Sequence, residues 1–194
     1  LNDAPSVSMA TPTYGAQEQM PLTLQGTGMS LNDPDALNAV VEATLSVNAG
    51  VLTVTSGGTG VVVNGNETNT VRLTGSVAQL NALLAGGNGA TVTYRIDTDD
   101  PVTQDTLTLT LNDLGGRGQG GALSSSQSSL ITIEAINDAP TITAPATYTT
   151  TEQTLLALHG TGVMLSDPDA GSTPVRLTLI AAQGSLSINV GTTG

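Results

Sequence analysis

The chain of 194 residues has no cysteine, lysine, tryptophan or phenylalanine. Without cysteine no disulfide staples the fold. Without lysine no Lys–Asn isopeptide crosslink can replace one. The only aromatics are Tyr14, Tyr94 and Tyr148, so the core must be built from Val, Leu, Ile and Ala. No apolar run approaches the ~18–20 residues that span a bilayer, so no membrane insertion is expected. Basic residues are scarce: Arg72, Arg95, Arg117 and Arg176 face sixteen carboxylates, for a net charge of −12. That balance argues against nucleic acid and anionic membrane as partners.

The absences also weigh against catalysis. There is no cysteine nucleophile, and His159 is the one histidine. A lone histidine leaves Ser-rich loops without the usual general base and zinc without further ligands. Paired carboxylates could serve glycoside hydrolysis, but such sites use sugar-stacking aromatics that this chain hardly has. The glycine-rich stretch at 115–121 lacks a Walker lysine. The expectation is a protein that is not an enzyme.

What is present is repetition. Leu1-Asn-Asp-Ala-Pro5 returns as Ile136-Asn-Asp-Ala-Pro140. Tyr14, Glu18, Leu22, Leu24, Gly26, Thr27, Gly28, Asp33, Pro34 and Asp35 recur as Tyr148, Glu152, Leu156, Leu158, Gly160, Thr161, Gly162, Asp167, Pro168 and Asp169. Such a match means tandem domains: a first repeat over 1–135 and the N-terminal portion of a second over 136–194. Gly194 falls where Gly60 falls in the first copy, so the chain reads as a fragment of a longer array.

Thr, Ser, Gly and Asn are abundant, and apolar residues alternate with period two, the pattern of half-buried strands. Strands are expected at 6–9, 21–25, 41–47, 51–55, 61–63, 70–74, 90–96, 105–111 and 129–135, with glycine-rich turns between them. In Thr106-Leu-Thr-Leu-Thr-Leu111 the leucines point one way and the threonines the other. Ser76–Leu84 departs from the pattern: Val77, Leu80, Leu83 and Leu84 share a helical face, and Ser76 with Gln79 has capping-box spacing. Residues 115–129 read as a long, mobile polar loop, either a ligand-contacting tip or a tolerated insertion. Together these features predict an all-β, antiparallel Greek-key β-sandwich repeat with one short helix in the first repeat.

The carboxylates are clustered, with nearly uncharged stretches between. Ca²⁺ takes six to eight oxygens from carboxylates, Asn side chains and backbone carbonyls, and this sequence offers those groups and little else. Asn137-Asp138 lies in the linker and Asp167-Pro-Asp169 about 30 residues further on. Asn2-Asp3 with Asp33-Pro-Asp35 repeats the pattern. Asp residues on either side of a proline kink can aim both carboxylates at one ion. An ordinary turn with a capping Asp is the plainer reading of either copy alone.

Repeat one ends Leu-Thr-Leu-Asn-Asp-Leu-Gly-Gly, then a loop, then Leu-Ile-Thr-Ile-Glu-Ala-Ile-Asn-Asp-Ala-Pro. This resembles the end of a cadherin repeat running into its Asn-Asp linker. The section from Leu31 to Tyr94 also resembles chondroitin sulfate proteoglycan-type repeats. The whole is similar to cadherin-like modules of giant bacterial surface adhesins, including RTX adhesins exported by type I secretion. The resemblance implies a cadherin/Ig-like fold with Ca²⁺ between successive domains. It assigns Glu18, one or more of Asp97, Asp99 and Asp100, Asn137, Asp138, Asp167 and Asp169 to the junction of the two repeats. It assigns Asn2, Asp3, Asp33, Asp35 and Asp113 to the upper end of repeat one, and Glu152 to a further junction. Ala135 and Ala139 replace an Asp and an Asn of the cadherin linker, and a run of Asp replaces its Asp-Arg-Glu element. One or two ions per junction are therefore expected rather than three.

The function implied is a Ca²⁺-rigidified extender repeat of an extracellular adhesin at the bacterial cell surface, with adjacent repeats of the same chain as partners. The alternatives are an adhesive module for a cell-surface glycan or protein, and an accessory domain of a secreted hydrolase.

Overall fold

In the computed structural model, residues 1–116 and 119–190 are described. Arg117, Gly118 and 191–194, including the Gly194 used to align the copies, lie outside them. The chain divides into two units, Leu1–Asn137 and Asp138–Gly194.

Unit 1 is an all-β sandwich with one helix. Its strands are β1 (Ser6–Met9), β2 (Thr13–Gln17), β3 (Leu22–Thr23), β4 (Met29–Asn32), β5 (Val41–Ser46), β6 (Val51–Thr55), β7 (Val62–Asn64), β8 (Thr70–Gly75), β9 (Thr91–Arg95), β10 (Gln104–Asn112) and β11 (Ser124–Glu134). The larger sheet runs β2-β11-β10-β5-β8-β7, with β2 parallel to β11 and the other pairs antiparallel. A second sheet, β3-β9-β6, and the pair β1-β4 complete the unit.

The predicted alternation places the core. Along β10, Leu107, Leu109 and Leu111 are fully buried while Thr106, Thr108 and Thr110 face outward. Leu45, Leu52, Leu73 and Ile131 join the leucines inside. Tyr94 is also buried, and its hydroxyl donates to Asp105 at 3.0 Å. Asp105 further accepts from the Asn48 and Ala49 amides at 2.8 and 3.0 Å, tying the β5–β6 turn to the start of β10.

Helix α1 (Val77–Leu84) forms where its pattern predicts. Ser76 accepts from the Gln79 amide, Gln79 returns the bond to the Ser76 amide, and Leu80, Leu83 and Leu84 are buried. The helix also closes a sheet edge. The Asn81 amide accepts from the Leu31 N–H and donates to the Leu31 carbonyl, both at 2.8 Å, in place of a further strand beside β4.

The structure corrects several expected elements. β2 and β4 were not anticipated. The strand expected at 21–25 shrinks to β3, because Gly26-Thr27-Gly28 interrupts it before β4. Gly28 has φ +88, and a Cβ there would lie 2.6 Å from the Ala10 Cβ, so only glycine fits. Ser124–Ser128, read as loop, instead belongs to β11, paired along β10 from Ser124↔Asn112 onward. The Thr108 and Ser128 hydroxyls there are 2.8 Å apart.

Unit 2 repeats the opening of unit 1. β12 (Thr141–Thr143) pairs with β13 (Met164–Ser166) in the register of β1 with β4: Ile142↔Leu165 answers Val7↔Leu31. Tyr14 meets Thr27 through their hydroxyls at 2.9 Å, and Tyr148 meets Thr161 at 3.3 Å. Further on, Leu177, Leu179, Leu186 and Ile188 are exposed, whereas their counterparts Ala43, Leu45, Leu52 and Val54 are buried. In unit 1 those residues lie on strands paired with β8, β10 and β9.

Candidate metal centre

Strand direction sorts the carboxylates of unit 1 to its two ends. β1 begins, β4 ends and β10 ends at one of them, which gathers Asn2, Asp3, Asp33, Asp35 and Asp113. At this upper end the Asp-Pro-Asp turn is built around Asp33. Its Oδ1 accepts from the Asp35 and Ala36 amides at 2.9 and 3.0 Å. Its Oδ2 is buried and has no hydrogen-bond partner. The Asp35 carboxylate accepts from the Asp3 amide, which ties the entry segment to the turn.

Asp113 is more fully engaged. Its Oδ1 accepts from the Gly115 and Leu123 amides, each at 2.8 Å, and its Oδ2 from the Asn2 side-chain amide at 2.6 Å. Burial alone would raise its pKa. The donors from Gly115, Leu123 and Asn2 outweigh that and hold the carboxyl below the ordinary carboxylate range. Asn2 also donates to the Gly121 carbonyl at 3.1 Å, so the entry segment and the β10–β11 loop form one network.

The opposite end of unit 1 carries Glu18, Asp97, Asp99 and Asp100, near where β11 exits toward Asn137. Glu18 follows β2, and its amide donates to the Glu134 carbonyl at 3.0 Å. Its side chain is only 2 % exposed, yet neither carboxylate oxygen has a hydrogen-bond partner. The three aspartates in the β9–β10 loop differ from one another. Asp97 pairs with Arg95, Asp99 accepts from the Gln19 side chain at 2.8 Å, and Asp100 is exposed. Within unit 1 no three carboxylates among the described residues bring ligand oxygens within 4.8 Å of one another.

Unit 2 rebuilds the Asp-x-Asp turn with the same partners. Asp167 Oδ1 accepts from the Asp169 and Ala170 amides, both at 3.2 Å, and the Asp169 carboxylate accepts from the Asp138 amide. Asp138 and Asp169 thus stand to each other as Asp3 and Asp35 do. Glu152 is exposed in this unit.

Buried carboxylates are expensive unless paired or bound to a cation. Asp33 and Glu18 are buried carboxylates with oxygen to spare, and the end of unit 1 that holds Asp33 also carries the oxygens of Asn2, Asp3, Asp35 and Asp113. That donor set fits Ca²⁺ and lacks the nitrogen and sulfur ligands of a zinc site. Sequence reasoning missed Asp105, which is spent on structure, whereas the two amide donors onto Asp33 Oδ1 are the capping turn that the sequence also offered.

No family model matches the chain, and no curated protein matches it. Two solved structures are similar over much of its length. One is a nucleoside hydrolase-related hypothetical protein from Saccharophagus degradans, associated with carbohydrate metabolism. It is 15 % identical over 69 % of this chain and 26 % of its own, with a TM-score of 0.32. The other is the set of extracellular cadherin domains 1–5 of protocadherin gamma B2, 16 % identical over 70 % of this chain and 21 % of its own, also with a TM-score of 0.32. The chain thus spans about a quarter and a fifth of these two proteins. At these values both stand as likenesses and nothing more. No helix among the described residues is long and apolar enough to cross a membrane.

Proposed function

We propose that the chain is a non-catalytic, Ca²⁺-binding extender repeat of a large adhesin at the bacterial cell surface. In this reading Ca²⁺ at the repeat ends stiffens the array, and the partners are neighbouring repeats of the same chain. The observation that carries it is Asp33: one oxygen is satisfied by two amides, and the other is buried without a partner, at the end of unit 1 that also carries Asn2, Asp3, Asp35 and Asp113. The recurrence of the same turn at Asp167 supports a repeated site rather than an isolated acidic loop.

The physical role follows from charge. Like carboxylates about 4 Å apart repel by a few kcal/mol per pair at an effective dielectric near 20. A cation reverses the sign and ties the entry segment to the turn. At ten to a hundred times its dissociation constant, Ca²⁺ adds about 1.4–2.7 kcal/mol per site.

Thermal melts of the whole chain in millimolar Ca²⁺, in Mg²⁺ and in chelator test the proposal. The expected result is a rise specific to Ca²⁺ that shrinks on Asp33→Asn and on Asp167→Asn. Coincident melts in all three conditions refute it.

A further inference from the structure

Two leucines of unit 1 hold a backbone conformation that leucine avoids. Leu37 has φ +47 and Leu114 has φ +57. This left-handed region crowds a side chain's Cβ and suits glycine. Strain of this kind is tolerated where a side chain is needed. Core burial does not explain it here, because Leu37 is 69 % exposed and Leu114 50 %.

Repeat two supplies the control. The counterpart of Leu37 is Gly171, at φ +49. The turn therefore forms with no side chain at this position. Repeat one's Leu37-Asn-Ala-Val40 becomes Gly171-Ser-Thr-Pro174 in repeat two. A surface common to all repeats would be kept in both copies, so these apolar side chains serve repeat one in particular.

They also lie together. Val40 is exposed on the loop of Leu37. A Cβ on Gly116, two residues beyond Leu114, would sit 3.8 Å from the Ala39 Cβ, so the two loops abut. Close by in the chain stands half-buried Asp35, with exposed Asp3 bonded to it, and Asp33 and Asp113 are buried beneath the surface. The described arginines of unit 1 are both occupied, Arg72 with Glu42 and Arg95 with Asp97. The result is an apolar ridge with an acidic surround in a chain of net charge −12.

We infer that Leu37 and Val40, which repeat two replaces, form with Leu114 a docking ridge for a protein partner that presents apolar side chains flanked by basic ones. Charge complementarity selects that partner. A second copy would bring acidic rim against acidic rim, and a neutral glycan would find no aromatic face to stack on.

Calorimetric titration of the full chain tests this with two synthetic amphipathic helical peptides of one leucine pattern. One carries lysine at its polar positions, the other glutamate. The comparison protein is the Leu37→Gly, Leu114→Gly double variant, which keeps every charge. The Leu/Lys peptide is expected to bind the natural chain and to lose about tenfold in affinity per leucine removed. The Leu/Glu peptide is expected not to bind, and the variant's Tm to be unchanged or higher. Equal Leu/Lys binding by both proteins would mean that charge alone attracts the peptide, and would overturn the inference. So would no Leu/Lys binding to the natural chain, binding of the Leu/Glu peptide, or a lower Tm in the variant, the last because it would make the leucines part of the fold.

Discussion

Glu18→Gln isolates the charge of a buried carboxylate from its shape. Glu18 is nearly inaccessible, and no hydrogen bond reaches either oxygen. The substitution therefore breaks no hydrogen bond. Without a cation, an unpaired buried carboxylate costs several kcal/mol after relaxation. An unpaired buried amide costs about 1–3 kcal/mol. In chelator the glutamine variant should thus be more stable, by roughly 1–2 kcal/mol. For the 137 residues of unit 1, an unfolding entropy of about 2.1 cal/mol/K per residue makes 1 kcal/mol worth about 3.5 °C. The Tm should therefore rise by about 3–7 °C.

In saturating Ca²⁺ the gap closes or inverts. The natural chain gains about 1.4–2.7 kcal/mol through its cation, and the variant forgoes most of that gain. Calorimetric melts of both proteins in both conditions give the four numbers required. If the variant is less stable in chelator, the carboxylate has a protein partner and the reasoning fails. If its response to Ca²⁺ equals that of the natural chain, Glu18 is no ligand.

Two further predictions concern the frame around the sites. Asn81→Ala strips partners from both backbone groups of buried Leu31 and opens the edge of β4. It should cost about 1–3 kcal/mol by urea denaturation, and an unchanged midpoint would mean that water replaces the amide. Asp113 has a depressed folded-state pKa, so its stabilisation is complete above the unfolded value near 3.9 and is lost as pH falls through the folded value. Asp113→Asn should accordingly be less stable by about 2 kcal/mol at neutral pH. The gap should close in strong acid, and denaturation midpoints differing equally at every pH would count against the charge-assisted network.

Local signals made some elements legible and hid others. The helix was readable because the capping box and the apolar face both depend on residues within one short segment. β10 was readable because its leucines and threonines alternate without interruption. Ser124–Ser128 has little intrinsic strand preference, and its strand is imposed by pairing with β10. β2 contains Gly15 and Ala16 where branched residues would have signalled a strand. The Asp-Pro-Asp turns were visible as sequence. Asp105 was not, because apart from the adjacent Thr106 amide its donors come from Asn48, Ala49 and Tyr94, and nothing near it in the chain announces those.

The two copies of the turn sharpen the case for a cation at Asp33. As a turn cap, position 33 needs one acceptor oxygen for two amides, and asparagine or serine supplies that as well. A carboxylate adds a second oxygen and a charge, and at Asp33 that oxygen is buried and unpaired. An asparagine at 33 would cap the same two amides without burying a charge-bearing group. The chain nevertheless places aspartate at both 33 and 167, each followed two residues later by an aspartate holding the amide of the Asn-Asp segment. An acceptor that the backbone does not use, at a position where an amide would serve the backbone equally, is accounted for by a positive charge. On the proposed reading, the turn satisfies the chain with Oδ1 and leaves Oδ2 for an ion.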